Sequence, residues 1–99
     1  MGIELDLNNE FEEIIKKARD RGFTPTRFMQ MLSEHGAVVT AKRLLATQEP
    51  QTGLFELYHL GLLNESMEAI VIKEKYSALF AHEEIAEAKK RLEELGYFK

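Results

Sequence analysis

Apolar residues recur every three or four positions along most of the chain, which is the period of an α-helix that buries one face. Glycine and proline divide this pattern into short segments, and Gly22, Gly36, Gly61 and Gly96 each follow an apolar stretch. Glycine is common just after a helix because it adopts a left-handed backbone without steric cost. The pattern therefore predicts an all-α fold, a compact bundle of five to six short helices.

The first helix is predicted from Asn9 to about Arg21, ending at Gly22. Its apolar stripe consists of Phe11, Ile14, Ile15 and Ala18. Acids stand at its start and bases at its end, which favours the helix dipole. Residues 1–8 precede this helix and are interpreted as a flexible tail.

A pair of helices is predicted over residues 24–46, divided by Gly36. Thr24 is the expected N-cap and Pro25 the first helical residue, where its missing N–H costs nothing. In the second helix, from about Ala37, the expected inward positions are Val39, Ala41, Leu44 and Leu45. The polar stretch 47–53 is predicted as a loop within the domain.

Three further helices are predicted after this loop. The first, Leu54–Leu60, ends at Gly61, and the second is capped by Asn64 or Ser66. Residues 70–72 alone would suit a strand, but a single apolar run without a partner makes no sheet. The third, about His82 to Leu95, carries an apolar stripe and the i, i+4 pair Glu87–Arg91.

Length and composition narrow the class of protein. The chain has 99 residues, which suits one domain spanning 1–99. It contains no cysteine, which excludes disulfides and thiolate metal sites and fits a reducing, cytoplasmic location. No apolar run is long enough to span a membrane and no signal peptide is visible, so no membrane partner is expected.

From Gly22 onward the order of residues resembles a small helical bacterial domain family of unknown function, found alone or at the end of longer proteins. The resemblance rests on residues 22–28, 35–36, 41–45, 50, 53–55, 60–62, 66–69, 79–80, 83–84, 91–92 and 96–97. It extends over about three quarters of the chain. Some longer members carry nuclease-like regions, but the resemblance implies no catalytic residue. Where the family has Ser or Thr before the last helix, this chain has Ala81.

The sequence has few residues in patterns typical of catalytic, cofactor-binding or metal sites. His35, His59 and His82 are too far apart to form a local metal-binding motif, and a solvated surface role is expected for them. No serine has a nucleophile-elbow context, and no glycine-rich phosphate loop occurs. The sequence therefore predicts no catalytic, cofactor-binding or metal site.

Nucleic-acid binding is one hypothesis for this chain. The helix pair at 24–46 has the outline of a helix-turn-helix, with Thr40 among its expected exposed positions. The candidate contacts are Arg19, Arg21, Arg27, Lys42 and Arg43. A net charge of −4 opposes binding by the whole surface, and the second helix begins with Ala37-Val38-Val39 rather than with polar residues.

Protein interaction is the preferred hypothesis. Aromatic residues near helix ends are more numerous than a small core needs: Phe23, Phe55, Tyr76, Phe80, Tyr97 and Phe98. Such residues either seal the ends of a bundle or form an exposed patch. The sequence thus favours a non-catalytic accessory or protein-interaction module, with nucleic-acid binding as the alternative, and does not determine the partner or the oligomeric state.

Overall fold

Helices occupy most of residues 2–47 and 52–98, the part of the chain that the computed structural model describes. The α-helices are α1 (Ile3–Asp20), α2 (Thr26–Ala46), α3 (Thr52–His59), α4 (Met67–Val71) and α5 (His82–Glu94). Two 3-10 helices, Leu63–Glu65 and Glu74–Leu79, flank α4, and these described residues include no strand. Since α2 is broken at Gly36, six α-helical segments result. The predicted all-α bundle is confirmed.

Helix α1 begins six residues before the predicted start at Asn9. Leu7 is fully buried and Ile3 packs partly against the core, so the apolar stripe extends about two turns further back from Phe11. Glu4 and Asp6 lie in the first turn, where they favour the helix dipole. Residues 3–8, predicted as a tail, are therefore helical.

Gly36 forms a sharp corner inside α2. Its backbone has φ 81° and ψ 172°, a region that only glycine adopts readily. The corner separates residues 26–35 from residues 37–46, as predicted. It brings the two ends of α2 to one cleft, because Arg27 and Leu44 both line it.

The second half of α2 buries Ala41 and Leu45 as predicted, but Val39 and Thr40 differ from the prediction. Val39, expected to point inward, is 41% exposed, whereas Thr40 is fully buried. The buried positions Ala37, Thr40, Ala41 and Leu45 follow helical spacing when Thr40 is included. The prediction was wrong because Thr40 was classified as polar and therefore exposed.

The remaining helix boundaries lie close to their predictions. Ser66 is the cap of α4, since its Oγ accepts a hydrogen bond from the Ala69 N–H at 3.2 Å and donates to the Leu63 carbonyl at 2.7 Å. Residues 70–71, which alone suited a strand, are helical. Of the predicted loop 47–53, residues 48–51 lie outside the described part, and Gly53 belongs to α3.

Candidate functional site

An apolar cleft of about 320 Å³ lies between the start of α2 and α3. Its apolar lining comes from α1, α2, α3 and α4: Ile14, Phe28, Leu44, Leu54, Leu57 and Met67. This volume is at the lower end of the range for ligand-binding sites, which runs from about 300 to 1,000 Å³. The cleft is therefore large enough for a small ligand or for one or two side chains of a partner.

The lining also includes a carboxyl group that is almost completely buried. Glu68 of α4 is 3% exposed, and its Oε2 accepts a hydrogen bond from Nη1 of Arg91 at 3.2 Å. Burial raises the pKa of Glu68, although Arg91 opposes this shift. The pairing offsets the charge that Glu68 would otherwise bring to the cleft.

Arg91 of α5 also closes the C-terminal end of α2. Its Nη2 donates to the carbonyls of Leu44 at 3.1 Å and Thr47 at 2.9 Å, and its Nε donates to Glu87 at 2.8 Å. Carbonyls at a helix end have no partner within the helix, so a buried guanidinium is a suitable donor. These hydrogen bonds hold the end of α2 in place, and with it Leu44, which lines the cleft.

This role of Arg91 was not predicted from the sequence. The Glu87–Arg91 pair was expected on a face outside the apolar stripe, whereas Arg91 is only 8% exposed. A signal was present, because Arg91 lies three residues after Ala88 and next to Leu92, both fully buried. An arginine inside an apolar stripe indicates a buried partner.

The rim of the cleft is polar and is formed by the start of α2. Thr24, Thr26 and Arg27 line the cleft and are exposed. Thr24 was predicted to cap this helix, but the cap position is Pro25 and no side chain caps the first turn. The Thr26 N–H instead donates to the Thr24 carbonyl at 2.8 Å.

The five basic residues predicted for nucleic-acid binding have different environments. Arg19, Arg27 and Arg43 are exposed, and Arg21 donates to the Leu60 carbonyl at 2.9 Å. Nζ of Lys42 donates to Glu84 at 2.8 Å and lies 5.5 Å from the centre of the Phe80 ring.

Thr40 was also expected to be exposed in that hypothesis. It is fully buried, so it cannot contact a nucleic acid. Its Oγ has no hydrogen-bond partner among the described residues.

A second polar cluster joins α1 to the segment after α4. The Tyr76 hydroxyl donates to Oε2 of Glu10, and Nζ of Lys73 donates to Oε1 of the same carboxylate at 2.6 Å. Burial disfavours the ionised form of Glu10, but the hydrogen bonds from Lys73 and Tyr76 outweigh it and lower the pKa. Burial, together with the nearby Glu10, raises the pKa of the Tyr76 phenol. The cluster is structural, since it holds a buried tyrosine against α1.

The aromatic residues divide between the two predicted roles. Tyr76 and Phe80 are buried in the core, as sealing residues would be. Phe55 and Phe98 are exposed by 44% and 55%, and Tyr58 of α3 is also 44% exposed. Phe55 and Tyr58 lie three residues apart and so occupy one side of α3.

Residues 2–47 and 52–98 contain neither a cluster of metal-binding side chains nor a membrane-spanning helix. Within these ranges, no group of three or more His, Asp or Glu side chains is arranged to hold a metal ion. His35, His59 and His82 are exposed, as predicted. No helix there has both the length and the apolar composition needed to cross a membrane.

Comparison of the chain with family models, with curated proteins and with solved structures found no match.

Proposed function

We propose that this protein is a non-catalytic interaction module that binds apolar side chains of a partner protein in the cleft between α2 and α3. The observation that carries the proposal is the apolar cleft of about 320 Å³, which is lined by residues of four helices. Buried apolar anchors in such pockets supply most of the binding free energy in many protein interfaces.

Helix α3 supports a macromolecular partner over a small molecule. Leu54 and Leu57 of α3 line the cleft, while Phe55 and Tyr58 on the same helix are exposed outside it. Successive residues are rotated by about 100° around a helix, so these aromatics extend the apolar surface beyond the cleft. A partner segment that fills the cleft would also cover part of this surface.

Nucleic-acid binding remains the alternative, with less support. Arg19, Arg27 and Arg43 are exposed and available for phosphate contacts. Lys42, however, is paired with Glu84, and Thr40 is buried, so the second half of α2 offers few groups for base contacts.

Site-specific photo-cross-linking in cells tests the proposal. A benzoylphenylalanine placed at Thr24, which is exposed at the rim, should form a covalent adduct with a partner protein. The same group at Ser77, which is exposed and does not line the cleft, is the matched control.

A variant that fills the cleft makes this test specific. Gly53 lines the cleft, and a Cβ added there meets no atom within 4 Å. The Gly53→Phe substitution should therefore remove the adduct formed from position 24, whereas Gly53→Ala should retain it. Equal adducts from positions 24 and 77, or an adduct that persists with Gly53→Phe, would contradict the proposal.

Two further assignments belong to the same proposal. We infer membership in the small helical bacterial domain family that residues 22–97 resemble, and the all-α fold of the described residues agrees with the fold that the resemblance implies. The absence of cysteine from the sequence supports a cytoplasmic location.

A further inference from the structure

We propose that the partner segment bound by the cleft is an acidic amphipathic helix, with its apolar side chains in the cleft and a carboxylate against Arg27. This inference rests on the proposed function and adds the chemical class of the partner. It follows from the charges around the cleft, which differ from the net charge of the chain.

The described lining of the cleft contains one exposed charge and one buried charge. Among the described residues that line it, the two that carry charge are Arg27 and Glu68. Glu68 is buried and paired with Arg91, so its charge is largely neutralised within the protein. Arg27 is exposed at the rim, so among the described lining residues it is the charged group that is open to an incoming ligand.

Charged side chains also lie near the C-terminal end of α3. Arg21 donates to the Leu60 carbonyl at 2.9 Å, which places its guanidinium beside the residue that follows α3. Nζ of Lys17 lies 2.9 Å from Oε1 of Glu65, in the 3-10 helix after that point, so this acid is already paired. Arg21 is thus an exposed cation near the end of α3, and Glu56 is an exposed acid on α3 itself, so Arg27 is the exposed charge that the described lining of the cleft contributes.

The apolar lining and small volume of the cleft suit the side chains of a partner helix. The cleft accommodates one or two side chains, and apolar anchors at i, i+3 or i, i+4 spacing are how an amphipathic helix enters a groove. The carboxylates of such a helix lie beside its apolar stripe, within reach of an arginine at the rim. The arginine then sets the preference between acidic and basic partners more than the overall affinity.

The experiment uses three synthetic helical peptides, each roughly four turns long. The acidic peptide carries Leu on one face and Glu beside it, the basic peptide has Lys in place of Glu, and the third has Ala in place of Leu. Each is titrated into the labelled full chain while the backbone amide NMR signals of residues 24, 26–28 and 53–57 are followed; Pro25 has no amide proton.

We expect the acidic peptide to shift these signals and to bind roughly tenfold more tightly than the basic one, and the Ala peptide to have no effect. Arg27→Glu should weaken binding of the acidic peptide by about tenfold and strengthen binding of the basic peptide. Arg43→Glu, an exposed position of α2 that does not line the cleft, is the matched control and should change either affinity by less than about twofold.

Other results would overturn the inference. Equal binding of the acidic and basic peptides in the cleft would show that the partner need not be acidic, while the proposed function would stand. Failure of the acidic peptide to shift the cleft signals overturns the inference, whereas the cross-linking from position 24 decides the proposed function separately. Displacement of the acidic peptide by a short DNA duplex would assign the cleft to nucleic acid. Concentration-dependent shifts of the same signals without peptide would assign it to a second copy of the chain.

Discussion

Arg91 of α5 and Glu68 of α4 form an ion pair inside the bundle, with Nη1 and Oε2 3.2 Å apart and the two side chains 8% and 4% exposed. The same guanidinium donates to the carbonyls of Leu44 and Thr47 at the end of α2. One side chain thus joins three helices and satisfies polar groups that burial would otherwise leave without partners. Because Glu68 and Leu44 line the cleft, the pair also holds the cleft in shape.

We expect Arg91→Met to lower the free energy of unfolding by about 3–5 kcal/mol, since it leaves a buried carboxylate without its opposing charge. The double substitution of Glu68 and Arg91 by Met should lose less than Arg91→Met alone, because it removes both charges. Urea unfolding followed by circular dichroism measures these differences, and Arg43→Met, at an exposed position, is the control. A loss below about 1 kcal/mol for Arg91→Met would show that the pair contributes little to stability.

The loss of stability caused by Arg91→Met should depend on pH. Burial raises the pKa of Glu68 above its value in the unfolded chain, so the stability linked to its protonation is present at low pH and declines as pH rises through the folded pKa. Without Arg91 this pKa rises further. The stability deficit of Arg91→Met should therefore shrink on acidification, and a deficit that is constant between neutral and acidic pH would contradict this account of the pair.

The corner at Gly36 gives a prediction that depends only on the backbone. A Cβ at this position meets no atom within 4 Å, so the cost of Gly36→Ala arises from φ 81° and ψ 172° and should be about 1–3 kcal/mol. Gly53→Ala is the control, because Gly53 lies in α3 and no Cβ contact opposes the change. Thermal unfolding should show a lower Tm for Gly36→Ala and an equal or higher Tm for Gly53→Ala. Equal Tm values for Gly36→Ala and the wild type would exclude backbone strain at the corner.

Much of the fold follows from local features of the sequence. The glycines at 22, 36, 61 and 96 mark helix ends because their positive φ angles disfavour other residues, and Ser66 caps α4 through a contact with Ala69 only three residues away. Local periodicity carries such information. The start of α1 at Ile3 was missed although a local signal was present, because Ile3 and Leu7 continue the apolar stripe back from Phe11 at i, i+4 spacing.

The candidate site was much less predictable. The cleft joins residues as far apart as Ile14 and Glu68, and the partners of Arg91 lie on α2, α4 and α5. The spacing of residues along the chain does not predict contacts between such distant positions. The buried stripe around Arg91 was the one local signal, and the burial of Thr40 shows that residue polarity alone does not identify the exposed face.

Glu10 should make stability depend on pH in the acidic range. Hydrogen bonds from Lys73 and Tyr76 outweigh burial and hold its pKa below its ordinary value of 4.5. A lowered carboxyl pKa stabilises the fold above the unfolded value, and this contribution is lost as pH falls through the folded value. Glu10→Gln should therefore cost about 1 kcal/mol at pH 7, and the difference from the wild type should shrink below pH 4.5.

Urea unfolding at a series of pH values measures this effect. Glu12→Gln is the control, because Glu12 is an exposed residue of the same helix and its substitution should change stability by less than about 0.5 kcal/mol. A Glu10→Gln deficit that stays the same from pH 7 to pH 3 would show that ionisation of Glu10 is not the cause.

Duplex DNA and RNA should bind weakly, with dissociation constants above about 10 micromolar at physiological salt. The net charge is −4, and Nζ of Lys42 lies 2.8 Å from Glu84, so a phosphate contact by this lysine would have to break an existing ion pair. Fluorescence anisotropy of a labelled duplex at several salt concentrations measures the affinity and its salt dependence. About four phosphate contacts would give a slope of roughly −3 to −4 in log affinity against log salt. Submicromolar binding with that slope would contradict this prediction. If charge reversal at Arg27, Lys42 and Arg43 also abolished that binding while the circular dichroism spectrum stayed helical, nucleic-acid binding would replace protein interaction as the proposed function.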